Sequence, residues 1–207
     1  MKNKTNKNNK KNDKLIKTIN YILVVIMSIG SFCLMIYRIS QGRYGRIPTD
    51  IAIYFVLLIP TILKRFIKIE EKDKLEFYIF IFIAEFLGCI VNLFKFITWF
   101  DTFSHFVSGI YFFIIGLKSL RLMNKFDEQN KMFNIIFAVA IALSSACIWE
   151  IFEFSIDSLF SMNLQHNIDT GVVDTMQDII ACTLGTFISG ITYYFKSKKK
   201  QAKLKLY

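Results

Sequence analysis

The chain has 207 residues, 54% of them hydrophobic and 16% aromatic, with a formal net charge of +10. A mean hydropathy of +0.41 beside 20% charged residues is foreign to an ordinary soluble domain and fits apolar spans joined by charged loops. The lysines sit in the tails and in two loops next to long apolar runs, which reads as a footprint for anionic lipid headgroups rather than nucleic acid.

Two prolines and nine glycines leave little turn chemistry, so the expected fold is all-α with short connections. Residues 1–17 are rich in lysine and asparagine and read as a disordered basic tail. The apolar run Thr18–Tyr37 follows, about the length that spans hydrocarbon. It is longer than a signal-peptide core and no A-x-A site follows it. Bulky Phe32 before Cys33 argues against lipoprotein cleavage, so the run reads as an uncleaved anchor. Five further spans are expected at 49–64, 75–94, 103–122, 132–154 and 175–195. Pro60 should kink or tilt the first of these. Residues 18–195 then form a single six-helix polytopic membrane domain, and 196–207 a basic cytoplasmic tail.

Orientation follows from the positive-inside rule. With both termini cytoplasmic, only Arg38, Arg43, Arg46 and Lys95 of the 26 basic residues fall outside. Trp99 and Trp149 then lie at outer helix ends, the level indole rings favour. Cys33, Cys89, Cys147 and Cys182 each sit within an apolar span without C-x-x-C spacing, and read as buried small hydrophobes.

The same topology gathers acids toward the outer face. Asp101 and His105 are four apart at the start of the fourth span, so their side chains are neighbours. Glu150, Glu153 and Asp157 continue one face at the outer end of the fifth, and Asp174 and Asp178 open the sixth. Asp50, Glu85 and Asp169 complete the outer set. First-turn acids complement a helix dipole and interfacial acids can simply be solvated, which is the plain reading of each pair. The whole set, facing four basic residues, instead points to a bound cation, because crowded carboxylates need a metal or protons to neutralise them. Oxygen-rich ligands suit Mg²⁺, Mn²⁺ or Ca²⁺ better than zinc. With His105 and His166 the only histidines, a three-histidine zinc site is ruled out. His105 is expected as a ligand or a general acid/base, and His166 as solvent-facing.

Glu85 lies near mid-membrane in the third span, where an acid costs roughly 2.5–3.5 kcal/mol on insertion scales. It either lines a polar cavity with Asn92, two turns later on the same face, or stays protonated against a neighbouring helix. Small residues behind the acids, Gly109 and Gly116 after His105, and Ala181, Gly185 and Ser189 after Asp178, allow close helix approach. No G-x-S-x-G, Walker-type loop, H-E-x-x-H or Rossmann fingerprint appears, so serine hydrolase, nucleotide-driven pump and dehydrogenase readings lack support.

Asp101-x-x-x-His105-Phe106-x-x-Gly109, Trp149-Glu150-x-x-Glu153 and Gly171-x-x-Asp174-Thr175-x-x-Asp178, with Gly185 behind, resemble the YjdF-like bacterial inner-membrane proteins over about residues 101–186. A more distant likeness is to VanZ-like proteins, which are linked to glycopeptide resistance. Those pair an Asp-x-x-x-His helix with a later Asp-x-x-Asp helix, whereas here three residues separate Asp174 from Asp178. The resemblance implies a multi-pass protein of the bacterial inner or plasma membrane whose motif residues match Asp101, His105, Glu150, Glu153, Asp174 and Asp178. Neither likeness brings a reaction with it.

The leading expectation is a divalent-metal-assisted enzyme acting on a lipid or cell-envelope substrate at the outer leaflet. Asp101, Glu150, Asp174 and Asp178 would hold the metal, with Glu153 or His105 handling the proton. Arg43 and Arg46 either contact an anionic headgroup or are ordinary loop charges. Two other classes stay open: a cation or proton transporter using Glu85 and Asn92, and a non-catalytic membrane partner of an envelope enzyme.

Overall fold

Long apolar segments can satisfy their own backbone groups in a bilayer as helices, and helices are what these runs form. The computed structural model describes residues 2–160, 164–165 and 171–204, and no strand occurs among them. In chain order the elements are α1 (Lys2–Ser40), a 3-10 turn (Tyr44–Arg46), α2 (Ile47–Leu63) and α3 (Glu71–Ile81). A π-helical segment (Phe82–Ile90) continues α3, and α4 (Leu93–Phe96), α5 (Phe100–Leu122), α6 (Lys131–Phe160) and α7 (Val173–Leu204) follow. Five stretches are long and apolar enough to cross a membrane: Lys11–Ser40, Tyr44–Leu63, Phe100–Leu122, Lys131–Leu159 and Val173–Lys198. Their outer faces carry large exposed apolar side chains, such as Ile22, Ile26 and Ile29 on α1 and Phe187, Ile188 and Ile191 on α7. Apolar surface on this scale calls for lipid.

The third expected span, 75–94, is where the architecture departs from simple periodicity. It is a compound element, α3 running into the π segment, and it ends where Asn92 adopts a left-handed conformation at φ 72°. Asparagine tolerates that conformation because its short polar side chain can bond locally. Val91 N–H closes the π turn on Phe86 O at 2.8 Å. The wider turn and the break after it shift the register, so Asn92 does not continue the helix face of Glu85 as the sequence suggested. At the other end of the chain, α1 begins at Lys2, so helix runs through the stretch expected to be a disordered tail. Lysine is a good helix former, and adding residues to an existing helix avoids the cost of nucleation.

The chain divides into two compact units, Met1–Phe100 and Asp101–Tyr207. In the first, α1, α2, α3 and the π segment enclose Met27, Ile53, Leu57, Tyr78, Ile81, Phe86 and Ile90. A buried ion pair joins Arg38 on α1 to Asp50 on α2, and Ser31 Oγ donates to Asp50 O at 2.9 Å. Arg38 also donates to Ile90 O, and Arg46 Nη2 donates to Cys89 O at 2.9 Å. Two guanidinium groups therefore cap carbonyls at the C-terminal end of the π segment, where positive charge is favoured. Asp50 thus has Arg38 as its ion-pair partner, while its Oδ2 is buried without a hydrogen-bond partner among the described residues. Arg46, considered for an anionic headgroup, spends a donor on the backbone.

At the opposite end of α3, Asn20 Nδ2 donates to Glu71 O at 2.9 Å and Oε2 at 3.1 Å, while Lys74 Nζ lies 2.7 Å from Oε1. The Lys74 hydrogen bond holds the Glu71 carboxyl below the ordinary glutamate range. All four cysteines are free; Cys182 is buried and Cys89 half-buried, but Cys33 and Cys147 lie exposed on outward faces rather than in the core.

In the second unit, α5, α6 and α7 pack around Phe113, Ala138 and Ala142. Tyr193 stacks edge-on against Phe113 with centroids 6.4 Å apart, and buried Asn134 donates to Asp127 O at 2.6 Å and to Tyr193 Oη at 3.3 Å. Three glycines set the helix spacing. A Cβ on Gly109 would stand 2.1 Å from Cys182 O, one on Gly185 2.1 Å from Phe106 O, and one on Gly116 2.6 Å from Ala138 Cα. Backbone meets backbone at these points, and only hydrogen fits between, so α5 lies directly on α7 and on α6.

Candidate metal centre

The helix ends of the second unit carry the acids. Asp101 sits in the first turn of α5 and Asp174 in the first turn of α7, where negative charge complements the helix dipole. His105 follows Asp101 by one turn, and Asp178 follows Asp174 by one turn. His105 then precedes Gly109 by four residues, and Asp178 precedes Cys182 by four, so the glycine crossing lies one turn below both. The close approach at Gly109 is what carries His105 on α5 up against Asp178 on α7.

His105 Nε2 lies 3.7 Å from Asp101 Oδ1 and 3.7 Å from Asp178 Oδ2. Donor atoms of these three residues all fall within 4.8 Å of one another. His105 and Asp178 are buried and Asp101 is half-buried. The 3.7 Å separations exceed a hydrogen bond. They approach the spacing of neighbouring ligands on one ion, which is about 3.4 Å around Ca²⁺ and about 3.0 Å around Mg²⁺ for octahedral shells at their usual bond lengths. Two carboxylate oxygens and an imidazole nitrogen form a hard, oxygen-rich donor set of the sort that suits Mn²⁺, Mg²⁺ or Ca²⁺. The residues present fit such an ion.

The third helix brings further acids close. Asp101, Asp174, Glu150 and Glu153 all lie within electrostatic reach of Asp178, and Asp101, Glu150 and Asp157 within reach of Glu153. Glu150, only 6% exposed, has its Oε1 buried without a hydrogen-bond partner among the described residues. Glu153 Oε1 accepts from Trp149 Nε1 at 2.8 Å, which ties that indole to the acidic end of α6. Asp157 takes a different part, accepting from the backbone N–H groups of Leu164 at 2.7 Å and Gln165 at 3.0 Å. Its carboxylate caps the chain beyond α6 and is not part of the donor group. His166 and Asp169 lie outside the described residues.

Glu85 and Asn92 belong to the other unit. Glu85 sits in the π segment, half-buried, with its carboxyl hydrogen-bonded to the Cys89 side chain one turn on. Of the residues singled out from the sequence, Asp101, His105 and Asp178 share one donor cluster, while Glu150 and Asp174, expected as ligands, and Glu153 come only within electrostatic reach of Asp178. The structure sets Asp157 to backbone capping and Asp50 to an ion pair with Arg38.

Gln165 was missed. It is 9% exposed, and its Nε2 lies 3.2 Å from Glu150 O, 3.3 Å from Glu150 Oε2 and 3.2 Å from Thr175 Oγ1. It thereby links the end of α6 to the start of α7. Nothing in the sequence marks it, since a glutamine in a polar loop has no periodicity and its partners come from two other segments.

A family model described as "Predicted membrane protein (DUF2238)" matches residues 21–199. An "Uncharacterized protein" of Thermotoga maritima is 26% identical over 133 residues, covering 62% of this chain and 65% of that protein, so the match spans less than two thirds of the relative's length. No solved structure matches. The matched span runs from within α1 to the basic end of α7 and takes in every member of the acidic group, and the chain belongs to the DUF2238 family of predicted membrane proteins, as a multi-pass helical member.

Proposed function

We propose that Asp101, His105 and Asp178 bind a divalent cation, with Glu150, Glu153 and Asp174 around it, and that the ion serves chemistry on a lipid or cell-envelope substrate at the outer leaflet of a bacterial plasma membrane. The observation that carries this reading is the position of His105 Nε2, 3.7 Å from a carboxylate oxygen on each of two helices. Carboxylates crowded in a buried setting need a positive ion or shared protons. A bound ion would act as a Lewis acid toward a phosphate or carbonyl oxygen. With His105 on the ion, Glu153 would be the group to exchange a proton with a substrate there. The motif order that resembles YjdF-like proteins lies wholly within the family match, in keeping with this assignment.

The basic inner loops and tails would rest on anionic headgroups, with six crossings and both ends cytoplasmic. Metal analysis of the purified full chain tests the reading. Mn²⁺ should bind at about one ion per chain to wild type and be lost in Asp178→Asn. Equal metal content in both proteins, or none in either, would sink it. Flux of the same ion into liposomes would instead favour transport over catalysis.

A further inference from the structure

Helix lengths in the second unit fix the level of the donor cluster against its basic ends. From Arg121 in the last turn of α5 to His105, from Lys196 to Asp178 on α7, and from Lys131 to Glu150 on α6, the helical rise gives about 24, 27 and 28.5 Å. Hydrocarbon is about 30 Å thick, and the two headgroup layers bring a bilayer to about 40–45 Å. With the basic residues at one edge of the hydrocarbon, His105 and Asp178 come up to the opposite edge without passing beyond it. Helix tilt lowers them and snorkelling of the basic side chains raises them, so the two effects oppose each other.

Apolar surface continues past the acids. On α6, Phe152, Phe154 and Leu159 are exposed beyond Glu150, and at the start of α7, Val172, Val173 and Met176 are exposed before Asp178. Val173 stands about 7.5 Å further out than Asp178, and Phe154 about 6 Å further out than Glu150, at the helical rise. A rim facing water would be polar at these positions, whereas large exposed apolar side chains call for lipid. Trp149 marks the same level. Its indole is 40% exposed and donates to Glu153, and indole rings favour the boundary between hydrocarbon and headgroups. The donor cluster thus lies beneath the headgroups, and a water-soluble substrate would have to cross that layer to reach it.

We propose that the substrate of this site is a glycerolipid of the leaflet in which the acids lie, and that its ester carbonyls, rather than its phosphate or a soluble envelope component, meet the ion. This rests on the cation reading above and deepens it by naming the substrate class. In a glycerolipid the ester carbonyls lie at the hydrocarbon edge, and the phosphate stands further out among the headgroups. A carbonyl oxygen is a hard ligand of the kind Mn²⁺, Mg²⁺ or Ca²⁺ accepts. Asp101, His105 and Asp178 offer one donor atom each, and such ions take about six or more, so positions remain for substrate oxygens. The lipid arrives at this depth with its chains already in hydrocarbon, and no headgroup has to be buried.

The test uses the full chain reconstituted in liposomes of phosphatidylcholine and phosphatidylglycerol. In a Trp99→Phe background Trp149 is the sole indole, so quenching of its fluorescence reads its depth without any metal. Lipids brominated toward the carbonyl end of the chain should quench it more strongly than lipids brominated toward the methyl end, and more strongly than iodide in the water. Mn²⁺ is the probe of the ion site, added to liposomes whose lipids carry ¹³C at the ester carbonyls. Pulsed electron paramagnetic resonance should show the bound Mn²⁺ coupled to ¹³C more strongly than to ³¹P. Asp178→Asn should lose the ¹³C coupling together with the ion.

Bound Mn²⁺ that couples chiefly to ³¹P, or to neither nucleus, would leave the cation site standing and overturn the glycerolipid ester as its substrate. Stronger quenching of Trp149 by iodide than by brominated lipid would overturn the depth on which that assignment depends. If wild type binds no Mn²⁺, or Asp178→Asn binds as wild type, the cation reading fails and takes this inference with it, whatever depth Trp149 reports.

Discussion

At the scale of single residues, two buried charged groupings are handled in opposite ways. Asp50 in the first unit is fully buried and neutralised from within the chain by Arg38, which itself is held by Ile90 O. Removing one member of such a pair strands the other. Arg38→Met should therefore destabilise the protein by about 3–5 kcal/mol, and the Arg38→Met/Asp50→Leu pair should recover most of it. Denaturant unfolding in mixed micelles would measure both; a single variant as stable as wild type would show the pair to be dispensable. Asp178 and Glu150 in the second unit are met chiefly by other acids and by His105, Gln165 and Thr175.

At the scale of elements, the acidic group depends on a crossing made by residues that carry no charge. Gly109 and Gly185 let α5 and α7 touch through their backbones one to two turns from His105 and Asp178. Gly109→Ala would drive a methyl into Cys182 O, and because backbone cannot step aside as a side chain can, the helices must part. The expected cost is about 1–3 kcal/mol in stability, together with weaker Mn²⁺ binding as His105 withdraws from Asp178. Gly190→Ala, on the same helix α7, meets only Ile135 and Phe113 side-chain atoms at 3.5 Å or more and should be neutral in both assays. Equal behaviour of the two variants would mean that the crossing does not position the site.

The π segment shows the other face of element-level control. Apolar periodicity and length read residues 75–94 as one plain helix, yet its last turns are wound as a π-helix that stops at left-handed Asn92. Hydropathy is insensitive to the number of residues per turn. What holds the irregular end is the pair of guanidinium groups, Arg38 on Ile90 O and Arg46 on Cys89 O, arriving from segments more than 40 residues earlier in the chain.

At the scale of the whole molecule, orientation and the number of crossings are decided by charge and length. Among the described residues five helices meet the length and hydropathy that crossing requires, and six crossings with both ends inside would need the compound α3–π element as the sixth. Single cysteines in a cysteine-free background would test this with a membrane-impermeant maleimide on intact cells. Tyr44→Cys and Phe96→Cys, both at exposed positions, should label from outside. Lys68→Cys and Lys125→Cys should label only after permeabilisation. Labelling of positions 68 and 96 from the same side would leave the compound element short of a full crossing.

Membership of the membrane, the helical class, the placement of most long spans and the four-residue step that makes Asp101 and His105 neighbours were legible in the residues alone. Those features depend on composition, span length and a four-residue step, all of them local. Four matters were decided only by tertiary contact: the capture of Asp50 by Arg38, the π winding before Asn92, the use of Asp157 as a backbone cap, and the placement of Gln165 against Glu150. Each depends on which groups from distant segments meet in space, and one-dimensional periodicity says on which face of a helix a side chain lies without saying what will face it.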